Sequence, residues 1–153
     1  MSFLVAALTA TQILIAAPLD AVGTTRHDAV KRFGEPVGVG TDFVGTPGEP
    51  TAGDRVVTLD YPKTQVRIYE SAPDASSRLI YVATVDEKFT TRSAVRVGVD
   101  RGAVLRELGG PEYEDDDQLI YASERADDPS KSDRVRIVLE KDHVIGLEWT
   151  FAK

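Results

Sequence analysis

The sequence predicts an α+β protein of two tandem repeats, each a short helix (or helix pair) packed on an antiparallel β-sheet. Three observations predict it. The stretch Val97–Pro111 repeats the earlier stretch Val22–Pro36, with Gly23 falling on Gly98, Arg26 on Arg101, Gly34 on Gly109 and Pro36 on Pro111 at one constant offset. Each stretch is followed by strand-like runs rich in β-branched and aromatic residues. Those runs alternate apolar with polar residues, so each strand has one face to bury.

Each repeated stretch carries its own start and stop. Thr25 and Asp100 occupy equivalent places, and both side chains can accept a bond from a free N–H at a helix N-terminus. Asp28 follows Thr25 at the spacing of a capping box, with Asp in place of Glu. Ala29, Val30 and Phe33, like Val104, Leu105 and Leu108, then put apolar groups on one helix face. Gly34 and Gly109 are expected to end each helix in a left-handed conformation, and Pro36 and Pro111 prevent its resumption. Helices this short are not stable alone and require a surface to lie on.

That surface follows in the chain. The first copy continues with runs Val56–Tyr61, Val66–Glu70 and Leu79–Val85, the second with Gln118–Ala122, Val135–Glu140 and Val144–Phe151. Leu59-Asp60-Tyr61 matches Leu119-Ile120-Tyr121, Val66-Arg67-Ile68 matches Val135-Arg136-Ile137, and Leu79-Ile80 matches Val144-Ile145. The copies differ in their insertions: Val37–Asp54, dense in Gly and Pro, reads as a surface loop in the first, and Ser123–Arg134 is inserted in the second. Strict alternation places Ile145, Leu147, Trp149 and Phe151 in the core, together with Val135, Ile137 and Leu139. By equivalence Val66, Ile68, Ile80 and Val82 are also core. A unit that recurs in this way cannot bury its apolar face unaided.

The organisation expected is therefore a lead-in or signal-peptide remnant over 1–12, a first repeat over 13–86 and a second over 87–153. Residues 1–22 bear two readings. Met1–Ala17 is almost wholly apolar, and Ile15-Ala16-Ala17 could precede a cleavage site, yet no Lys or Arg precedes the run. At the repeat offset Ile13–Ala21 lies on Lys88–Arg96, which favours a structured lead-in. The run is too short and too polar within for a membrane span.

Composition narrows the function. A formal charge of −7 disfavours nucleic acid and anionic membranes as partners. The absence of cysteine removes disulfides, thiol catalysis and cysteine-based zinc sites. Gly38-Val39-Gly40 lacks the third glycine of a dinucleotide fingerprint, and no phosphate-loop pattern is present. His27 reads as a solvated helix residue and His143 as part of a hairpin turn after Lys141-Asp142. No catalytic residue, metal ligand or cofactor is expected, and the protein reads as a non-enzyme. The acidic run Glu112, Glu114, Asp115, Asp116 and Asp117, with Asp127-Asp128 beyond it, lacks the spacing and central glycine of a calcium loop and reads as a solvated loop.

Sorting the strands by face turns Arg67, Tyr69 and Tyr81 away from the core, beside Arg136 and Glu148. These five are the candidate partner-binding residues, on a sheet face left open opposite the helices. Tyrosines interleaved with arginine and glutamate suit a protein-binding surface.

The Gly-Val-Asp-Arg or Gly-Thr-Thr-Arg turn, the helix ending Leu-Gly-Gly-Pro or Phe-Gly-Glu-Pro, the tyrosine strand and the terminal hairpin together resemble the repeat of the β-lactamase-inhibitory proteins. They are similar also to the single-copy unit of the SmpA/OmlA-type outer-membrane assembly lipoproteins. The resemblance covers Ile13 to Phe151. It implies helix-plus-sheet units in tandem, a concave sheet face, work by binding other proteins, and a periplasmic or secreted location. The disulfides of the one family and the lipid-modified cysteine of the other are missing, and no inhibitory loop transfers. The alternatives are a self-associating cytoplasmic protein, with a homodimer hiding the same face, and a small-ligand carrier with a pocket between two sheets.

Overall fold

The computed structural model describes residues 7–123 and 131–152. Two helices, α1 (Ala10–Ala21) and α2 (Arg26–Phe33), precede β1 (Gly38–Phe43), β2 (Arg55–Asp60), β3 (Thr64–Glu70) and β4 (Ser77–Thr84). Helix α3 (Arg101–Leu108) precedes β5 (Tyr113–Glu114), β6 (Gln118–Ala122), β7 (Arg134–Glu140) and β8 (His143–Thr150). All eight strands form one antiparallel sheet in the order β1-β2-β3-β4-β8-β7-β6-β5. The expectation of a separate sheet in each unit is corrected. The last strands of the two runs, β4 and β8, pair along Tyr81–Thr84 and Leu147–Thr150, which removes an edge from each. Among the described residues the strands form a single sheet, so the pocket expected between two sheets has no counterpart there.

The helix signals are present as atoms. Asp28 N donates to Thr25 Oγ1 (3.1 Å) while Thr25 N donates to Asp28 Oδ2 (3.2 Å), a reciprocal capping box. Ala103 N donates to Asp100 Oδ1 at 2.7 Å. Ala29 and Val104 are fully buried at equivalent places, and Phe33, Leu105 and Leu108 pack partly buried around the core.

Gly34 and Gly109 have φ of 86° and 79°, but with ψ of −167° and −159°. That is an extended, glycine-only region rather than the left-handed helical conformation expected. A Cβ built at either meets nothing within 4 Å, so the demand for glycine is purely one of backbone. Gly34→Ala and Gly109→Ala should each cost about 1–3 kcal/mol in urea denaturation. Gly110→Ala, also with open space and an ordinary φ, should stay within about 0.5 kcal/mol.

Each of these glycines is held by a tyrosine. Tyr61 Oη donates to Gly34 O (2.9 Å) and Tyr121 Oη to Gly109 O (2.8 Å). Burial pushes the Tyr121 phenol up to about 12. Its neutral form is favoured in the folded protein, so its contribution is complete below about pH 10, where an unfolded tyrosine ionises. It is lost as pH rises from there toward 12. Tyr121→Phe should flatten this alkaline fall in stability measured by urea titration across that window.

Three strand features differ from the sequence reading. The glycine-dense segment read as loop contains β1, which pairs with β2 from Gly38–Asp60 to Phe43–Arg55 and is mostly exposed. A strand held by backbone bonds at a sheet edge needs little apolar pattern. Second, β5 adds a short pairing within the acidic segment. Third, Ile80 and Ile145 are not core residues. Arg67 pairs with Tyr81 but Ile68 with Leu79, and Val138 pairs with Gly146 but Leu139 with Val144. A β-bulge therefore leaves Ile80 and Ile145 unpaired, and Leu79 (3 % exposed) and Val144 (1 %) take the core positions while Ile145 is 40 % exposed.

The N-terminal segment is built into the core. Thr9 caps α1 in a capping box with Gln12, so the boundary placed after residue 12 falls inside a helix, and Ile15 and Ala17 are buried. Helix α1 packs on β6, β7 and α3. The lead-in to α3 has no matching helix; it is an irregular segment that buries Phe89, Val95 and Val97. Phe89 lies 5.9 Å from Phe33 and 5.9 Å from Trp149. Helix α1 thus packs against the second half of the sheet, while Phe89 of the later lead-in packs between α2 and β8. No described helix is long and apolar enough to cross a membrane.

Candidate functional site

The helices and the apolar core occupy one face of the sheet. On the other face the register aligns a row across the middle strands: Arg67 of β3 opposite Tyr81 of β4, Tyr81 opposite Thr150 of β8, and Thr150 opposite Arg134 of β7. The adjacent row runs Gln65, Ala83, Glu148, Arg136 and Ile120. Arg67, Arg136 and Thr150 are exposed, so this face is open at its centre.

All five sequence-selected residues lie here, and four are joined. The Arg67 guanidinium sits 4.5 Å from the Tyr81 ring centroid. Tyr81 Oη donates to Glu148 Oε2 at 3.1 Å, and Arg136 Nη2 reaches the same oxygen at 3.4 Å. Gln65 Oε1 accepts from Arg67 Nε and Nη2, and Gln65 Nε2 donates to Asp60 Oδ1. Partial burial, then the Glu148 charge, raises the Tyr81 phenol above its ordinary value. Tyr81 is therefore a neutral donor at physiological pH.

Tyr69 stands apart. Its hydroxyl donates to the buried Asp54 carboxylate, and the Arg78 guanidinium lies 4.8 Å from its ring. That hydrogen bond raises the Tyr69 phenol and lowers the Asp54 carboxyl, which also accepts from Ala72 N. Tyr69 and Tyr81 do not pack on each other; each is paired across the strands with an arginine. Neither Arg78 nor Asp54 carries a local sequence signal for this face. Strict alternation from Tyr81 turns Arg78 toward the core, and only the bulge at Ile80 returns it to the open face.

Beside this cluster lies a shallow cleft of ≈ 330 Å³, lined by Lys63, Gln65, Ala83, Val85, Val138 and Glu148 around Gly146. Gly146, with no side chain, leaves the notch: a Cβ there would meet Val85 Cγ1 at 3.6 Å and Val138 Cβ at 3.8 Å.

The remaining candidates have structural partners. Asp115 Oδ1 accepts from the Asp117 and Gln118 amides, and Arg101 binds the carbonyls of Asp115 and Asp116. Among the described residues no group of His, Asp or Glu is arranged to hold a metal ion; Asp127 and Asp128 lie outside them. His27 and His143 are exposed, and His143 Nδ1 lies 2.9 Å from Lys141 O beside the hairpin turn.

The chain matches no family model and none of the curated proteins. Among solved structures it is similar to an extracellular protein containing an SCP domain from Bacillus anthracis str. Ames, at 7% identity and a TM-score of 0.42. That alignment covers 88% of this chain and spans 45% of the length of the other.

Proposed function

We propose that the protein is a non-enzymatic protein-binding module of the bacterial cell envelope or secreted fraction, which engages a protein partner through the open sheet face. The observation that carries this reading is the linked set Arg67–Tyr81–Glu148–Arg136, laid across β3, β4, β8 and β7 on an exposed surface. Tyr and Arg dominate binding energetics at protein interfaces, and side chains already braced by neighbours lose less entropy on association. The location rests on the family resemblance.

The same reading takes the chain as a duplicated unit whose halves have fused into one sheet. Equivalent positions carry equivalent details in both: the capping residues, the positive-φ glycines, the tyrosine hydroxyls on Gly34 and Gly109, and the bulges at Ile80 and Ile145. Fusion through β4 and β8 makes one wide face out of two narrow ones.

Tyr69→Ala/Tyr81→Ala tests the reading. Both side chains lie on the open face, so the variant should keep its far-UV spectrum and unfold cooperatively, at a lower urea midpoint because the buried Asp54 carboxylate loses the Tyr69 hydroxyl. It should lose a partner captured by chemical crosslinking in envelope fractions of the source cells, with hot-spot costs of about 2 kcal/mol or more per residue. Retained capture by a folded variant contradicts the reading.

A second reading is self-association. Among the described residues strand β1 is an open edge without Pro or Lys, and it exposes Val39 (57 %) and Phe43 (71 %). Edges of this kind pair with a second chain. Sedimentation of the wild type against Val39→Lys distinguishes a β1-mediated homodimer from a monomer with a free edge.

A further inference from the structure

We infer that the partner presents an extended acidic segment, whose alternate carboxylates dock on the arginine–tyrosine checkerboard of β3 and β4; this rests on the binding-face reading above. Four residues form the checkerboard. Arg67 lies opposite Tyr81 and Tyr69 opposite Arg78, so each strand contributes one cation and one ring, in inverted order. Each guanidinium rests on the tyrosine across from it, at 4.5 Å and 4.8 Å.

The arrangement exists because of the bulge. With regular alternation Leu79 would face out opposite Tyr69 and Arg78 would face in; the extra residue Ile80 exchanges them. A bulge that moves a leucine into the core and a cation onto the surface re-aims charge toward whatever meets this face.

Charge complementarity sets the occupant's chemistry. The chain carries 25 Asp and Glu against 18 Lys and Arg, and Arg26, Arg55, Arg101, Arg134 and Arg136 all have carboxylates within 4 Å. Among the described residues, neither Arg67 nor Arg78 has one. Both nonetheless stand fixed on aromatic rings; Arg67 Nε and Nη2 donate to Gln65 Oε1, and its remaining N–H groups, with those of Arg78, are left to grip carboxylates. The two cations are one strand apart and two residues along, about 8 Å between their Cα positions by standard sheet spacings. Successive same-side residues of an extended peptide are about 7 Å apart, so carboxylates at alternate positions reach both cations.

The test is NMR titration of the full chain with an acetylated, amidated Gly-Glu-Ser-Glu-Gly peptide, beside its Gln-for-Glu counterpart and a short oligothymidylate. Saturable shifts are expected on the open-face amides of β3 and β4 and on the Arg67 and Arg78 Nε–H signals. They should be absent with the Gln peptide and weakened about tenfold or more by salt at 0.5 M, roughly, as surface charge is screened. Arg67→Gln/Arg78→Gln should abolish them while its remaining amide dispersion shows an intact fold. Equal shifts with the Gln peptide, shifts unchanged in the double variant, or tighter binding of the oligothymidylate each overturn the inference. Loss of a captured partner in Tyr69→Ala/Tyr81→Ala without any peptide response refutes the acidic segment and leaves the binding face standing. Failure of both removes the face as well.

Discussion

Replacing Trp149 by alanine is expected to destabilise the protein by about 3–5 kcal/mol, the range for removing a large aromatic from a packed core. Trp149 is fully buried and packs against Phe89, which in turn stacks on Phe33. Its indole has a second task. Pro18 sits inside α1 and has no N–H, so the carbonyl of Leu14, four residues earlier, loses its helical donor. Trp149 Nε1 donates to that carbonyl at 2.9 Å. Trp149→Phe keeps most of the bulk yet leaves a buried acceptor unsatisfied, at about 1–3 kcal/mol. Pro18→Ala returns an N–H to the helix, so the cost of Trp149→Phe should shrink in that background by about 1 kcal/mol or more. Urea midpoints of the four proteins in this cycle test the coupling; strictly additive costs contradict it.

Arg101→Ala is the second large effect, about 2–3 kcal/mol. The side chain is 18% exposed and gathers three segments. Nη2 donates to Asp115 O and Asp116 O at 2.9 and 2.8 Å, Nε reaches Asp142 Oδ1 at 3.1 Å, and Nη1 reaches Glu114 Oε1 at 3.4 Å. Asp142 and Glu114 are well exposed, so those pairs add little, and the carbonyl contacts dominate. Lysine cannot reproduce the fork, so Arg101→Lys should recover less than half of the loss. Hydrogen exchange at the Asp117 and Gln118 amides should accelerate in Arg101→Ala. Arg92→Ala, whose exposed pair with Asp20 spans 3.8 Å, should do nothing measurable.

The elements legible in the sequence were those whose signals are local. Caps need only a Thr or Asp at the right place, and a stop needs a glycine followed by proline. The five face residues were legible because period-2 alternation runs unbroken through Arg67–Tyr69 and Arg134–Leu139. What escaped depends on partners distant in sequence. A bulge is a property of a strand pair, so Ile80 and Ile145 were misplaced and Arg78 overlooked. The edge strand β1 has almost no burial to pattern it. Nothing near Pro18 indicates that a tryptophan 131 positions later, roughly the whole chain away, satisfies its helix.

The most direct measurement of the central claim is photocrosslinking from two single sites, with benzoylphenylalanine replacing Tyr81 on the open face or His27 on the exposed side of α2. In source cells the protein is expected to form a discrete adduct with another protein from position 81, competed by unlabelled wild type, and none from position 27. Adducts from position 27 alone, or from neither site in every cell fraction, would contradict a binding face on this sheet; an adduct of the chain with itself from position 81 would make that face a homodimer interface instead.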